Sequence, residues 1–188
     1  MQGEEELVRR AKEHDQVAFS RLYEEYFDKI YRYIVIKIGS QTEAEDMTQQ
    51  VFLKALQSIS SFKWQGAPFS SWLYRIAHNQ VVDYLRKKSK RPAIEEDPPD
   101  IKDNNRKSDP QQITEHNLSM EQLLNAAKQL TAAQREVISL RFTSDLSTAE
   151  VARLMGKSQG AIKALQHSAI VALRKALLVE TNGYARKI

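Results

Sequence analysis

The chain has 188 residues, of which 41% are hydrophobic and 28% charged, and it contains no cysteine. This length fits one ordinary domain or two small ones, and the lack of cysteine excludes disulfides and thiolate metal sites and agrees with a cytoplasmic location. The net charge is +4, and we expect neither a secretory signal nor membrane insertion, since no apolar run approaches membrane-spanning length. Residues that favour helices dominate, which predicts an all-α fold.

Two helices are predicted at the start of the chain. Glu4 to Lys12 forms a short helix that breaks near His14. Asp15 has the residue type of an N-cap, and Gly39 can adopt the left-handed conformation that closes a helix. Between them, apolar residues recur every three or four positions: Phe19, Leu22, Tyr23, Tyr26, Phe27, Ile30, Tyr31 and Ile34. We predict that this aromatic stripe faces a core rather than a cofactor.

The next helix has one apolar side and one polar side. Thr42 and Glu45 form a capping-box pattern at its start. The apolar side contains Ala44, Met47, Val51, Ala55, Leu56 and Ile59. The polar side contains Glu43, Glu45, Asp46, Gln49, Gln50, Lys54 and Gln57. This polar side is either an ordinary solvated face or, together with the off-stripe Phe52, a surface that docks on another protein.

A loop rich in aromatic residues then leads into a basic helix. The loop contains Phe62, Trp64, Gly66, Pro68 and Phe69. One face of the helix is apolar, with Trp72, Leu73, Ile76, Ala77, Val81, Tyr84 and Leu85. The other face is polar and then basic, with Arg75, His78, Asn79, Gln80, Arg86, Lys87, Lys88, Lys90 and Arg91. Rings beside a basic helix suit a single nucleic-acid strand, because bases stack on the rings, at about 1–3 kcal/mol each, and cations follow the backbone.

Ordinary packing explains part of this pattern. Trp72 and Leu73 are predicted to be core residues, because an apolar stripe on a helix usually packs against the protein. Trp64 lies outside any helical period, and it either contacts a ligand or covers the end of the core. The basic helix is either a solvated face or a binding surface. Together these three or four helices predict a first domain at 1–91.

Residues 92–117 differ in composition from both neighbouring segments. Proline recurs there with polar residues, and large apolar residues are almost absent. Seven acids (Glu95, Glu96, Asp97, Asp100, Asp103, Asp109 and Glu115) outnumber three bases (Lys102, Arg106 and Lys107). We predict a flexible acidic linker that joins two small helical domains.

The second domain, 118–188, is predicted to contain a helix-turn-helix. Capping boxes begin two of its helices: Thr131 with Gln134, and Ser147 with Glu150. The second of these helices ends at Gly156, and a long final helix follows. The final helix would lie in a major groove and present its first turns to base edges. The residues placed to do so start at its N-cap: Ser158, Gln159, Lys163, Gln166 and His167.

The charge of this second domain favours DNA as its ligand. The basic residues are Arg141, Arg153, Lys157, Lys163, Arg174 and Lys175, and the acidic ones beside them are Glu136, Asp145 and Glu150. Any unit of three packed helices can imitate a helix-turn-helix, so the charge is the observation that decides between the two interpretations.

Taken together, the two halves resemble a bacterial sigma factor of the extracytoplasmic-function (ECF) group, and the resemblance covers nearly the whole chain. In the first domain it is carried by AEDMTQQVFLKAL (Ala44–Leu56) and FSSWLYRIAHNQVVDYLRKK (Phe69–Lys88). In the second it is carried by LTAAQREVISLRF (Leu130–Phe142) and STAEVARLMGKSQGAIKALQHSAIVALRKAL (Ser147–Leu177). The segments are specific jointly, through their order and spacing, rather than one by one.

The resemblance implies a role for each surface. The polar side of the Ala44–Leu56 helix is expected to dock on the clamp of the large catalytic subunit of core RNA polymerase, through Asp46, Gln49, Gln50 and Phe52. The loop and basic helix are expected to capture the melted -10 element and a flipped base, through Lys63, Trp64, Phe69, Ser71, Arg75, His78, Asn79, Arg86 and Lys87. The final helix and its surroundings are expected to read the -35 element of promoter DNA as duplex, through Arg141, Lys157, Ser158, Gln159, Lys163, Gln166, His167 and Arg174.

The resemblance also carries expectations about control. The acidic linker is similar to the family's connector, which follows the RNA exit path of the polymerase. Family members often carry arginines where this chain has Leu165, Ser168 and Ile170, which predicts fewer phosphate contacts and a shallower salt dependence. Little chain follows Leu177, so we expect control by a separate anti-sigma inhibitor protein. No metal, cofactor or catalytic residue is implied.

Two alternatives belong to other classes of protein. A free-standing helix-turn-helix regulator, with an N-terminal sensing or dimerisation domain, would bind a palindromic duplex without polymerase. An enzyme is disfavoured, because the sequence has no glycine-rich phosphate loop and no paired catalytic carboxylates, and its histidines are scattered: His14, His78, His116 and His167.

Overall fold

A computed structural model describes residues 2–64, 66–90 and 124–185 of the chain. Within these ranges the elements are α1 (Gln2–Lys12), α2 (Gln16–Ile38), α3 (Gln41–Ser58), a 3-10 turn (Ile59–Ser61), α4 (Phe69–Lys90), α5 (Ala132–Thr143), α6 (Thr148–Met155) and α7 (Gln159–Ala185). Residues 124–128 are also helical. The described residues contain no strand, which confirms the all-α prediction. In these ranges, no helix has both the length and the apolar character that a membrane span requires.

The ends of α1 and α2 follow from local chemistry, as predicted. The chain breaks at His14, whose backbone φ of 67° lies in the left-handed region. The Asp15 carboxylate then caps α2 by accepting hydrogen bonds from the backbone N–H groups of Val17, at 2.9 Å, and Ala18, at 3.1 Å. Gly39, with a φ of 76°, closes the same helix. These caps set the length of the helix that carries the aromatic stripe.

The start of α3 differs from the predicted capping box of Thr42 and Glu45. Ser40 is the N-cap: its backbone is extended, and its hydroxyl accepts a hydrogen bond from the backbone N–H of Glu43 at 3.4 Å. Thr42 lies inside the helix, because Gly39 already ends α2 and one residue suffices for the turn between the two helices. The predicted cap was therefore wrong by two positions.

The aromatic stripe of α2 faces the core, as predicted, and the segment before α4 closes one end of that core. Ile30 and Ile34 are completely buried. The ring of Phe62 has its centroid 5.7 Å from that of Phe69 and 5.3 Å from that of Trp72. Aromatic pairs at these separations add to the stability that burial alone provides. The rings therefore anchor the loop to the body of the first half.

One residue predicted on the buried side of α3 lies at the surface. Leu56 is 49% exposed, whereas Val51, Ala55 and Ile59 are at most 1% exposed. These three buried residues are spaced four apart and share one side of the helix. Leu56 follows Ala55 by roughly 100° around the axis, which turns its side chain toward solvent.

The second half contains the predicted helix-turn-helix, formed by α6 and α7. The capping boxes at the starts of α5 and α6 are those expected: Thr131 with Gln134, and Ser147 with Glu150. Gly156, with a φ of 61°, ends α6. The Ser158 hydroxyl accepts a hydrogen bond from the backbone N–H of Ala161, at 3.2 Å, where α7 begins.

The two halves pack against each other, which the sequence had not indicated. α5 lies against α2, and the buried apolar residues of both halves belong to one continuous cluster. Val137 and Leu140 of α5 are completely buried in it. The predicted linker at 92–117 and the predicted start of the second domain at 118 lie outside the described residues, so those boundaries stay predictions.

Candidate nucleic-acid interface

The loop before α4 holds Trp64 at the surface. Trp64 is 42% exposed, and its ring meets that of Phe62 edge-on, with centroids 5.2 Å apart. Phe62 is buried, and its carbonyl oxygen accepts a hydrogen bond from Lys12 Nζ at 2.8 Å. Gly66 completes the turn with a φ of 70°. One side of the indole therefore packs against a buried ring, and much of its remaining surface is accessible to a stacking base.

Phe69, predicted to contact the same strand, is a core residue. It is 1% exposed, and its ring lies 5.8 Å from that of Tyr26 and 5.4 Å from that of Trp72. As the first residue of α4 it turns inward with the helix, so its ring is not available to a base. This corrects the prediction for Phe69. Lys63, which was predicted to contact the same strand, is exposed beside Trp64.

The polar face of α4 presents most of the predicted cations and amides. Arg75, Asn79, Arg86 and Lys87 are all exposed. Arg86 pairs with Asp83 at 2.9 Å, but both side chains are more than half exposed, so phosphate can replace this carboxylate at little cost.

Gln80, predicted on the same polar face, lies inside. It is 8% exposed, and its Nε2 atom has no hydrogen-bond partner among the described residues. It precedes Val81, which is completely buried, so this turn of α4 presents two successive residues to the interior.

Two other predicted strand contacts are occupied by the second half of the chain. Ser71 Oγ donates a hydrogen bond to Glu150 Oε1 at 3.0 Å. His78 Nδ1 lies 3.1 Å from Glu136 Oε1, and the His78 side chain is only 21% exposed. In this arrangement both side chains are engaged by carboxylates of the second half.

The helix-turn-helix presents most of its predicted contacts to solvent. The exposed ones are Lys157, Ser158, Gln159, Lys163, His167 and Arg174. Gln166 is half-buried. A shallow concavity runs along the turn between α6 and α7, lined in part by Arg153, Gly156 and Lys157. Backbone N–H groups at the start of α7 and these cations are the groups that contact duplex phosphates in such motifs.

Arg141 differs from the other predicted duplex contacts. Its Nη1 atom donates a hydrogen bond to the backbone carbonyl oxygen of Leu146 at 2.5 Å, and its Nε atom is buried. The guanidinium therefore ties the end of α5 to the segment before α6, and this intramolecular role differs from the predicted contact with the -35 element.

The outer side of α3 exposes the polar residues that were predicted for docking but not the predicted apolar residue. Asp46, Gln49 and Gln50 are exposed, as expected of a docking face. Phe52 is 4% exposed, with its ring centroid 4.7 Å from that of Tyr23, so it stabilises the core and cannot dock on a partner as placed.

Leu53 and Leu56, which sequence reasoning missed, supply the apolar part of this face. They are 56% and 49% exposed. The helical spacing contains the signal, since Leu53 follows Gln49 by four positions and therefore shares its side of the helix.

A cluster that the sequence did not predict joins the two halves, and we call it the Glu136 cluster: Glu136, Tyr33, Lys37 and His78. The Tyr33 hydroxyl donates to Glu136 Oε1 at 2.9 Å, His78 Nδ1 approaches the same oxygen, and Lys37 pairs with Oε2. Burial alone would raise the pKa of the Glu136 carboxyl. The hydrogen bond from His78 and the charge of Lys37 outweigh burial and lower this pKa from 4.5 to about 2. The carboxylate is therefore ionised at any physiological pH.

The signal for this cluster in the sequence is Lys37, which falls among buried positions at the end of α2. Its side chain is 7% exposed. A lysine at such a depth requires a carboxylate partner, and the sequence did not show that this partner comes from the second half.

Two further acids in the described part of the second half also contact the first half. Lys29 pairs with Asp145 at 2.9 Å, and Glu150 accepts from Ser71. Among the described residues, Glu136, Asp145 and Glu150 thus all meet donors of α2 or α4. The cations of α6 and α7 are left facing outward.

Comparison with known proteins matches a separate family model to each half of the chain. Residues 22–91 match the family model of Sigma-70 region 2, and residues 126–175 match that of Sigma-70 region 4. The chain is 42% identical over 173 residues to the ECF RNA polymerase sigma factor BldN of Streptomyces coelicolor, an alignment that covers 92% of this chain and 65% of BldN.

A second relative is matched over nearly its full length. The chain is 31% identical over 187 residues to the ECF RNA polymerase sigma factor SigW of Bacillus subtilis, with 90% of this chain and 94% of SigW covered. Among solved structures, CnrH, in complex with the cytosolic domain of CnrY, has a TM-score of 0.69 at 22% identity. That match covers 94% of this chain and 98% of CnrH, and it shows a shared fold.

Proposed function

Because the chain belongs to the ECF group of RNA polymerase sigma factors, we propose that it directs core RNA polymerase to specific promoters. In this proposal α6 and α7 read the -35 element as duplex, and the Trp64 loop with α4 captures the -10 element as a single strand. The chain has no catalytic step of its own and acts with polymerase in the cytoplasm.

The observation that supports the proposal is that one chain carries two surfaces of different chemistry. Trp64, an exposed ring on a buried support, lies beside a helix that exposes Arg75 and Asn79, which suits unpaired bases and their backbone. The turn before α7 instead presents Lys157 and Lys163 from a helix-turn-helix, which suits a duplex. A free-standing regulator needs only the second surface.

We further propose that α3 provides the contact with polymerase. Its outer side combines the exposed polar residues Asp46, Gln49 and Gln50 with the exposed apolar residues Leu53 and Leu56. Apolar side chains exposed among polar ones are typical of a protein interface.

An inhibitor protein is a further expected partner. The relative CnrH is solved with the cytosolic domain of CnrY, and the sigma factor RpoE of Bartonella quintana is solved with the anti-sigma factor NepR. We propose that this chain is likewise held by an anti-sigma factor.

The test is in-vitro transcription with purified core polymerase, the full chain and a pool of promoters with randomised sequence. We expect transcripts only when the chain is present, from templates that share two separated elements. Gln159→Ala should relax base preference in the upstream element alone. Binding of the chain to a symmetric duplex without polymerase, and no transcript with it, would contradict the proposal and support a free-standing regulator.

A further inference from the structure

We propose that the free chain rests in a closed state, in which the Glu136 cluster locks its two halves together and withholds Ser71 and His78 from single-stranded DNA. The masking part of this inference rests on the proposed function, because it is α4 that is expected to capture the strand. The locking part depends only on the contacts between the halves.

The first argument is the burial of opposite charges from different halves. The side chains of Lys37, on α2, and Glu136, on α5, are 7% and 8% exposed. If one of these partners is removed, the other remains as an uncompensated charge at a site that excludes water, which is strongly unfavourable. The closed arrangement therefore depends on the presence of both partners, and loss of either one favours separation of α2 and α5.

The second argument is that two tyrosine hydroxyls complete the same interface with hydrogen bonds. The Tyr33 hydroxyl donates to Glu136, and the Tyr74 hydroxyl donates to the carbonyl oxygen of Thr143 at 2.6 Å. Both tyrosines are completely buried. Separation of the halves would expose the two rings and break both bonds, so these residues act in the same direction as the ion pair.

The exposed contacts at the edge contribute little by comparison. Asp145 pairs with Lys29, but its side chain is 85% exposed, and an ion pair so open to solvent contributes little to stability. This difference makes Asp145 a matched control for Glu136, since both are acids of the second half that pair with lysines of α2.

The closed state has a consequence for the strand-capturing helix. Ser71 and His78 are engaged by Glu150 and Glu136, whereas Arg75 and Asn79 on the same helix stay exposed. The closed chain can therefore attract a strand without completing its contacts. When only a fraction of molecules is competent to bind, apparent affinity falls by that fraction, so a chain that is about nine-tenths closed binds about tenfold more weakly than an open one.

The experiment measures the distance between the halves in the full chain. The sequence has no cysteine, so Gln57→Cys on α3 and Gln129→Cys before α5 introduce the only two thiols for a donor and an acceptor dye. Both positions are exposed and lie outside the proposed contacts. We expect Glu136→Gln to lengthen the distance, and Asp145→Asn and Glu24→Gln, an exposed acid on α2, to leave it as in the parent chain.

A double variant separates loss of the cluster from loss of folding. Lys37→Met with Glu136→Met replaces the ion pair by apolar side chains of similar size, a change that buried pairs often tolerate. The Tyr33 hydroxyl, 3.3 Å from His78 Nδ1, retains a partner. We expect this double variant to return to the closed distance. Should Glu136→Gln unfold, Lys37→Met alone supplies the same comparison with the double variant.

Binding is then measured with a fluorescent 20-nucleotide single-stranded DNA of mixed sequence, and we expect Glu136→Gln to bind about tenfold more tightly than the parent. An unchanged dye distance in Glu136→Gln, or a double variant as open as the single one, would overturn the lock. An opened chain without a gain in affinity would overturn the masking. Failure of the chain to support transcription would refute the proposed function, and the dye distances would still decide whether the closed state exists.

Discussion

At the scale of single residues, Glu136 and Trp64 show how burial decides what a side chain does. Glu136 is an acid among the cations of a second half that is expected to bind DNA, and only its contacts with Lys37 and His78 explain its position. Trp64 is a large apolar residue left partly in solvent, although its neighbour Phe62 is buried. Each side chain lies in an environment that is unusual for its residue type. A buried acid and an exposed tryptophan say more about function than an ordinary core residue does.

The first prediction concerns the pH dependence of stability. The pKa of Glu136 is lowered from 4.5 to about 2 in the folded chain, so its contribution is complete above 4.5 and is lost as the pH falls from there toward 2. The difference in unfolding free energy between the parent and Glu136→Gln should be about 3 kcal/mol at pH 7 and shrink below pH 4.5.

Urea unfolding at pH 7, 5, 4 and 3 measures this difference. The groups that face the Glu136 carboxylate are Lys37 and Tyr33 from α2 and His78 from α4. Asp145→Asn should show almost no difference from the parent at any of these pH values, because its carboxylate is exposed. A Glu136→Gln difference that stays constant down to pH 3 would show that the carboxylate is not held ionised by its partners.

The second prediction concerns Trp64. Trp64→Ala should weaken binding of single-stranded DNA by about 1–3 kcal/mol, because one stacking ring is removed. The fold should be nearly unaffected, since the ring is already 42% exposed. Fluorescence anisotropy with a labelled single strand and with a labelled duplex measures both effects. Lys157→Ala is the reciprocal control, and we expect it to weaken duplex binding alone; equal losses for both ligands in either variant would refute the separation of the two surfaces.

At the scale of elements, each helix end is explained by residues within a few positions, whereas each helix face is explained by other elements. Asp15, Gly39 and Gly156 cap their helices through local geometry, which does not depend on what those helices pack against. The polar face of α4, by contrast, is divided by contact with the second half, which engages Ser71 and His78 and leaves Arg75 and Asn79 free of it. One helix face therefore contains both an interface with the second half and the exposed residues of the proposed strand-binding surface.

The third prediction uses the two glycines that flank the turn before α7. Gly156 has a φ of 61°, and a Cβ there would meet nothing within 4 Å, so Gly156→Ala should destabilise the chain through backbone strain alone, by about 1 kcal/mol. Gly160 lies in α7 without a left-handed φ, and its Cβ would meet only Ser158 Oγ at 4.0 Å. Gly160→Ala should therefore stabilise by about 0.5–1 kcal/mol. Urea unfolding of both variants is the measurement, and effects of the same sign would contradict the assigned turn.

At the scale of the whole molecule, the distribution of charge matters more than the net charge of +4. Lys29 and Lys37 of the first half pair with acids of the second half. Lys157 and Lys163 remain exposed on the helix-turn-helix. When the halves pack, these acids and lysines pair with each other across the interface. The lysines of the helix-turn-helix remain on the outer surface.

The fourth prediction follows from this distribution. If Lys157 and Lys163 contact phosphates, replacing either with Ala should reduce the slope of log affinity for duplex DNA against log salt by about 1. Lys29→Ala should leave the slope unchanged, because that lysine lies on α2, outside the helix-turn-helix. Titrations of duplex DNA between low and moderate salt measure the slope. A loss of slope in Lys29→Ala equal to that in Lys163→Ala would show that the phosphate contacts are not confined to the helix-turn-helix.

The sequence by itself determined the helices, most of their caps, the helix-turn-helix and the family, because these depend on residues within one or two helical turns of each other. It also identified Trp64 and the exposed cations of α4 and α7 as candidates. The inward positions of Phe52, Phe69 and Gln80, the use of Arg141 inside its own domain and the engagement of Ser71 and His78 were decided by the tertiary structure. The physical reason is that burial requires a partner surface. For Lys37 that partner is Glu136, a residue of the other half, and no periodicity within α2 could reveal it.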